Sequence, residues 1–136
     1  MLDVQKVSYF HATAANPASE ARGVLELLGR DGVNLLGFTA TPIGPVHTQY
    51  TLFPEDPATF ERVAGQAGLQ AMGPHHAIMI RGEDKVGALE AVFRKLESAD
   101  VHVYSSTALA GRGGAFSLLV YLRPNDVDRA VEALAA

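Results

Sequence analysis

The chain has 136 residues, 48% of them hydrophobic, and 11 Lys and Arg against 15 Asp and Glu give a formal net charge of −4. Its basic residues are scattered singly apart from Arg94-Lys95, so no basic face meets a phosphate backbone and nucleic acid is not expected as a partner. There is no cysteine, which excludes disulfides, thiolate metal sites and a cysteine nucleophile.

Asp3 stands where a signal peptide needs a basic flank, and no uncharged apolar stretch approaches the roughly 18 residues of a membrane span. The expectation is a cytoplasmic protein with no membrane partner. Val7 to Ala12 reads as a buried strand. Asn16 then stands where a helix N-cap belongs, and Pro17 at the first helical position, where its missing N–H costs nothing. This helix ends near Asp31-Gly32, and Ala21, Val24, Leu25 and Leu28 give it an apolar stripe at i, i+3, i+4, i+7 spacing. Val33 to Ala40 is a second strand, broken by the turn Thr41-Pro42-Ile43-Gly44-Pro45. His47 to Phe53 is a third strand, Pro54-Glu55-Asp56-Pro57 a turn, and Ala58 to Gln66 a helix with Phe60 and Val63 inward. Leu69 to Met72 is short enough to close the sheet before Gly73-Pro74.

The same order then recurs. Ala77 to Ile80 is a strand, Val86 to Ser98 a helix, Val101 to Ala108 a strand, Gly111 to Gly114 a turn and Ala115 to Leu122 a strand. Asp126 is placed to cap a last helix through Leu134. The second helix of this kind carries the stripe Leu89, Val92, Phe93, Leu96, each residue 68 positions after its partner in the first stripe, half the chain length. Val33 with Val101, Thr39 with Thr107 and Ala40 with Ala108 fall in the same register. After a two-residue slip in the loops, Leu52, Pro54 and Asp56 match Leu122, Pro124 and Asp126.

A duplication is therefore expected, with residues 1–73 and 74–136 as its two copies. Each would be an α+β unit of βαββαβ order, ferredoxin-like, too small to stand easily alone. The second copy ends without a closing strand, so the edge of Ala77 to Ile80 needs cover from the first repeat, the N-terminal residues or a second subunit. Antiparallel sheets packed edge to edge would give about eight strands with the helices on one face.

The element order, the loop Gly82-Glu83-Asp84-Lys85-Val86-Gly87-Ala88-Leu89 and the strand entry Gly32-Val33-Asn34-Leu35 resemble the ACT-domain family over Val7 to Leu134. The family pattern has an acidic or Asn residue, Pro-Gly and an apolar pair at the helix start, and Gly-Ile/Val-Asn-Ile at the strand. The second repeat has Asp84 and Gly87 with Val86 in the Pro place; the first has Asn16 and Pro17 with Ser19 in the Gly place. Asn34 is kept in the first repeat, whereas His102 replaces it in the second and Asp100 replaces the Gly. The resemblance implies a small tandem ACT protein, a non-catalytic regulator that binds an amino acid or related metabolite, pairs as a homodimer and acts on a regulated enzyme. It implies no cofactor.

An amino acid presents a carboxylate and an ammonium. The N–H groups of Gly87, Ala88 and Leu89 at a helix start suit the first, and Asp84 or Asn16 can accept from the second. Asn34 and His102 lie on strands beside such loops, and the resemblance implies the pairs Asp84-Gly87 with Asn34 and Asn16-Ser19 with His102. Plain helix capping would use the same residue types.

Other motifs carry less. Gly111-Arg112-Gly113-Gly114 leads into a strand rather than a helix, so it is a hairpin turn and no phosphate loop. His75 and His76 are adjacent and would point to opposite faces of a strand, with no third ligand evident. His11 and His47 read as face histidines of strands, and Phe10, Tyr50, Tyr104, Phe116 and Tyr121 as sheet packing. No Ser/His/Asp set or paired catalytic carboxylates stand out, so catalysis is not expected. Two other readings stay open: a metal enzyme of the vicinal-oxygen-chelate type, opening on Pro74-His75-His76-Ala77-Ile78, and a structural dimer without a ligand. Against the first, Phe116 to Leu122 contains no acidic residue.

Overall fold

A computed structural model describes residues 2–14 and 17–135, with the side chains of residues 14 and 17–20 outside the description. In chain order the elements are β1 (Asp3–Ala14), α1 (Pro17–Arg30), β2 (Leu35–Pro42), β3 (Thr48–Pro54), α2 (Pro57–Ala67), β4 (Ala71–Glu83), α3 (Ala88–Ser98), β5 (Val103–Ala110), β6 (Ala115–Leu122), a 3-10 turn (Pro124–Asp126) and α4 (Val127–Ala135). Strand neighbours follow the order β2-β3-β1-β4-β6-β5.

The described residues thus form a six-stranded sheet, where about eight strands are expected from the sequence. The difference lies in β1 and β4, which are 12 and 13 residues long. Leu69 to Met72 and Ala77 to Ile80 are not two strands. Most of that stretch is the single strand β4, which carries Gly73-Pro74 inside it, joined by a cis peptide bond. Gly73 has φ 148, and a Cβ there would lie 2.8 Å from the Tyr9 carbonyl oxygen, so only glycine lets the two backbones approach.

The chain divides into two compact units, Ser8–His75 and the combination of Met1–Val7 with His76–Ala136. In the first, the strand order is β2-β3-β1-β4. Alternate residues Phe10 and Ala12 of β1 and Tyr50 and Leu52 of β3 turn to one face and bury against Val24 and Leu28 of α1 and Phe60 and Val63 of α2. Asp56 caps α2, its carboxylate accepting from the Ala58 N–H (3.1 Å) and the Thr59 hydroxyl (2.8 Å), with Pro57 at the first turn.

In the second unit the order is β5-β6-β4-β1. Ile78 and Ile80 of β4 and Phe116, Leu118, Val120 and Leu122 of β6 alternate inward against Val92 and Leu96 of α3 and Val127, Ala130 and Leu134 of α4. The N-terminal residues supply the strand this unit lacks: β1 neighbours β4, and Leu2 and Val4 pack against the core. That settles the choice among the three covers expected for the open edge.

The ladders repeat at the 68-residue offset. Phe10 pairs Leu52, which pairs Phe38; Ile78 pairs Val120, which pairs Ser106. Even the irregularity recurs, between Leu35 and Gly37 and between Val103 and Ser105. Leu52 therefore corresponds to Val120, and the expected match with Leu122 is corrected. The two-residue slip falls after the strand, where the 3-10 turn Pro124–Asp126 takes up the extra length before α4.

Two further expectations change. The stripes are narrower than their spacing suggests: Val24, Leu28, Val92 and Leu96 are buried, whereas Leu25 and Leu89 are 39% and 40% exposed. Asp126, expected to cap the last helix, is buried as an ion-pair partner. Its carboxylate accepts from Arg129 (2.6 Å) and lies 3.5 Å from Arg123, and Arg129 also donates to the Ala99 and Asp100 carbonyls at 3.0 Å. The turn after α3 is thereby tied to α4. Asp100 there has φ 58, matching Gly32 at φ 85 after α1, because aspartate tolerates the left-handed region that glycine occupies freely.

Leu28→Ala is expected to lower the unfolding free energy by about 2–5 kcal/mol through the cavity it leaves. Leu25→Ala should cost under about 1 kcal/mol, as for a half-exposed side chain. Urea unfolding of both variants measures the difference.

Candidate functional site

One concavity in the unit containing α3 lies at that helix's start. Backbone closure creates it. The Asp84 N–H donates to the Gly114 carbonyl (2.8 Å), fastening the loop after β4 to the turn between β5 and β6, and the Gly111 N–H donates to the Ala115 carbonyl (2.9 Å). The end of β5 and the start of β6 are so held beside the helix. The resulting cavity of about 330 Å³ has Asp84, Lys85 and Glu90 as its charged lining and Leu89, Leu109 and Phe116 as its larger apolar lining, with Gly87 and three alanines between.

Gly87 is the N-cap residue, at φ 86 and ψ −1, and no side chain caps the helix. The first helical bond is from the Ala91 N–H to the Gly87 carbonyl (3.1 Å). Ala88, expected as a free donor, is corrected: its N–H closes a turn onto the Lys85 carbonyl at 3.1 Å. The N–H groups of Leu89 and Glu90 precede the first helical bond and meet no side-chain cap, so they and the helix dipole face the cavity end of α3. The Lys85 ammonium, 4.0 Å from Glu83, adds positive charge to the same loop. Glu90 is paired with Arg94, whose hydrogen bond holds its carboxyl below the usual carboxylate range. The cavity thus offers an anion-attracting helix start, two carboxylates and an apolar wall.

The residues expected from the sequence are dispersed among several places. Asp84, Gly87, Ala88 and Leu89 line this cavity, whereas Val86 is fully exposed and outside its lining. Asn34 donates through Nδ2 to Glu55 (2.9 Å), and the Glu55 N–H donates back to the Asn34 carbonyl (2.8 Å), so it ties the end of α1 to the turn before α2. His102 lines a separate hollow with Phe93, Glu97 and Asp100 at the far end of α3. Asn16 lies outside the described residues, as does the side chain of Ser19. Lys85, Glu90, Leu109 and Phe116 are lining residues that sequence reasoning missed. Their signal was the glycine turn at 111–114, which reads as a plain hairpin until the Asp84–Gly114 bond shows what it docks.

Among the described residues no three His, Cys, Asp or Glu side chains cluster as a metal site. Among those residues, too, no helix is long and apolar enough to cross a membrane.

No protein-family model matches the chain, and no curated protein matches it in sequence. Solved structures do match in fold. A protein from Bacteroides thetaiotaomicron aligns with TM-score 0.83 at 16% identity, over 97% of this chain and 88% of that one. The regulatory subunit of aspartate kinase from Thermus thermophilus, in its ligand-free form, aligns with TM-score 0.64 at 15% identity, over 98% and 94%. A putative C-terminal regulatory domain of aspartate kinase from Porphyromonas gingivalis aligns with TM-score 0.60 at 11% identity, over 99% and 95%. At these identities the likeness is one of fold alone.

Gly87→Ala has open space for its methyl group, so its cost is that of the left-handed backbone alone, about 1–2 kcal/mol. Denaturant unfolding should show that loss, and an unchanged midpoint would mean that α3 begins differently.

Proposed function

We propose that this chain is a non-catalytic regulatory protein of the tandem ACT type that binds an amino acid or closely related metabolite at the start of α3. Its two ferredoxin-like repeats are residues 1–73 and 74–136 in sequence, a reading supported by the matching strand orders β2-β3-β1-β4 and β5-β6-β4-β1. The observation that carries the proposal is the cavity in which an uncapped helix start, Asp84 and Glu90 meet Leu109 and Phe116.

Each part of an amino acid has a partner there. The carboxylate is received by the N–H groups of Leu89 and Glu90 and by the Lys85 ammonium, the arrangement that helix starts offer to anions. The ammonium is received by the Asp84 carboxylate, with Glu90 beside it. An apolar side chain rests on Leu109 and Phe116, and the exposure of Leu109, at 74%, falls as the ligand covers it. Gly87 lets the ligand approach the backbone.

The regulated partner is an enzyme, as it is for the aspartate kinase regulatory subunits that share the fold. Assembly as a homodimer is supported by the outer strands β2 and β5, neither of which carries a charged residue to protect its free edge.

A thermal-shift panel of the twenty amino acids tests the reading. A ligand that binds only the folded chain adds about 2.7 kcal/mol at a hundred times its dissociation constant, so at least one amino acid should raise the melting temperature. Asp84→Ala and Leu109→Asp should abolish that rise while the unliganded melting temperature stays near that of the parent. A flat panel at millimolar ligand defeats the proposal.

A further inference from the structure

His75 next to His76 suggests a metal pair in the sequence, but adjacent strand residues point to opposite faces. The fold gives His75 a different neighbour. β1 and β4 lie side by side, and the imidazoles of His11 and His75 come together with ring centres 5.5 Å apart. Both belong to the unit Ser8–His75. Because Phe10 and Ala12 turn to the helix-covered core, Tyr9 and His11 turn to the opposite face of the sheet, as do Thr51 and Phe53 of β3.

That face carries a cluster of packed rings. Tyr9 packs edge-on against His11 (5.2 Å) and tilted against both His75 and Phe53 (5.3 Å each). Tyr9, Thr51 and Phe53 are buried, whereas His75 remains open to solvent. The Thr51 hydroxyl lies 3.2 Å from Nδ1 of His11. When Nδ1–H donates to that oxygen, Nε2 carries the lone pair; in the other tautomer the hydroxyl donates to Nδ1.

We infer that His11 and His75 together bind one divalent transition-metal ion, of the zinc or nickel class, on the helix-free face of this unit. Two imidazoles that share an ion with bonds of about 2.0–2.1 Å hold their ring centres roughly 5–6 Å apart, and the observed separation falls in that span. Imidazole donors suit zinc, copper and nickel rather than calcium or magnesium. No third His, Cys, Asp or Glu joins the pair among the described residues, so water completes the coordination and the ion exchanges readily. The inference shares no residue with the cavity at α3 and stands independently of the amino-acid reading.

Isothermal titration of the tag-free full chain with Zn²⁺ alone and with Ni²⁺ alone, at pH 7.5, tests it. One equivalent per chain is expected. His75→Ala and His11→Gln should each weaken binding at least tenfold, and His76→Ala and His47→Ala should leave it unchanged. His75 is exposed, so its variant keeps the parent's circular-dichroism melt and a lost site is read as lost ligation. Absence of saturable one-to-one binding, binding that survives His75→Ala, or binding that disappears with His76→Ala overturns the inference.

Discussion

The structure depends on the pairing of two long strands. A unit of about 65 residues buries barely enough apolar surface to balance the entropy of ordering its chain. β1 and β4 ease that limit because each contributes one part of its length to one unit and the rest to the other. The unit that contains α3 would otherwise present the β4 edge and the side of its core to water. Instead Leu2 and Val4 complete its hydrophobic cluster. The requirement on sequence is a pair of strands twice the ordinary length, and it explains why glycine occupies the point where the Tyr9 carbonyl meets β4.

Within that scheme the two units share their ladders and differ at their helix ends. Register, bulge position and the buried pairs Val24/Leu28 and Val92/Leu96 repeat at one spacing. Strand ladders must repeat because a one-residue shift would turn every core side chain to the other face. Helix ends are free to diverge, because capping groups can be exchanged at small cost. Asp56 caps α2, while Asp126 binds two arginines and frees the start of α4 to be set by the 3-10 turn. The start of α3 has no side-chain cap, and there the cavity forms.

The charge pattern of that cavity follows from the same divergence. A capping side chain would satisfy the helix start internally, whereas Gly87 leaves the first-turn N–H groups and the dipole directed at the hollow. Glu90, in the first turn, pairs with Arg94 and brings negative charge to a place where the dipole welcomes it. Groups that attract negative and positive charge therefore line one hollow beside an apolar wall.

Local structure was legible in the sequence. Helical spacing, turn residues and strand alternation located every helix and, to within a few residues, β2, β3, β5 and β6, because these signals depend on near neighbours. The recurrence of strand register at one offset was legible too. Tertiary structure decided what depends on distant partners. It joined Ala71 and Met72 to Ala77 to Ile80 in the single strand β4, with Gly73-Pro74 inside it. It brought the N-terminal residues to the open edge, turned Asn34 to Glu55 and Asp126 to Arg129, and docked the 111–114 turn on Asp84. It also exchanged His76 for His11 as the neighbour of His75. Strand pairing and loop closure join residues far apart in the chain, so which side chains meet is set by the sheet order and not by any local pattern.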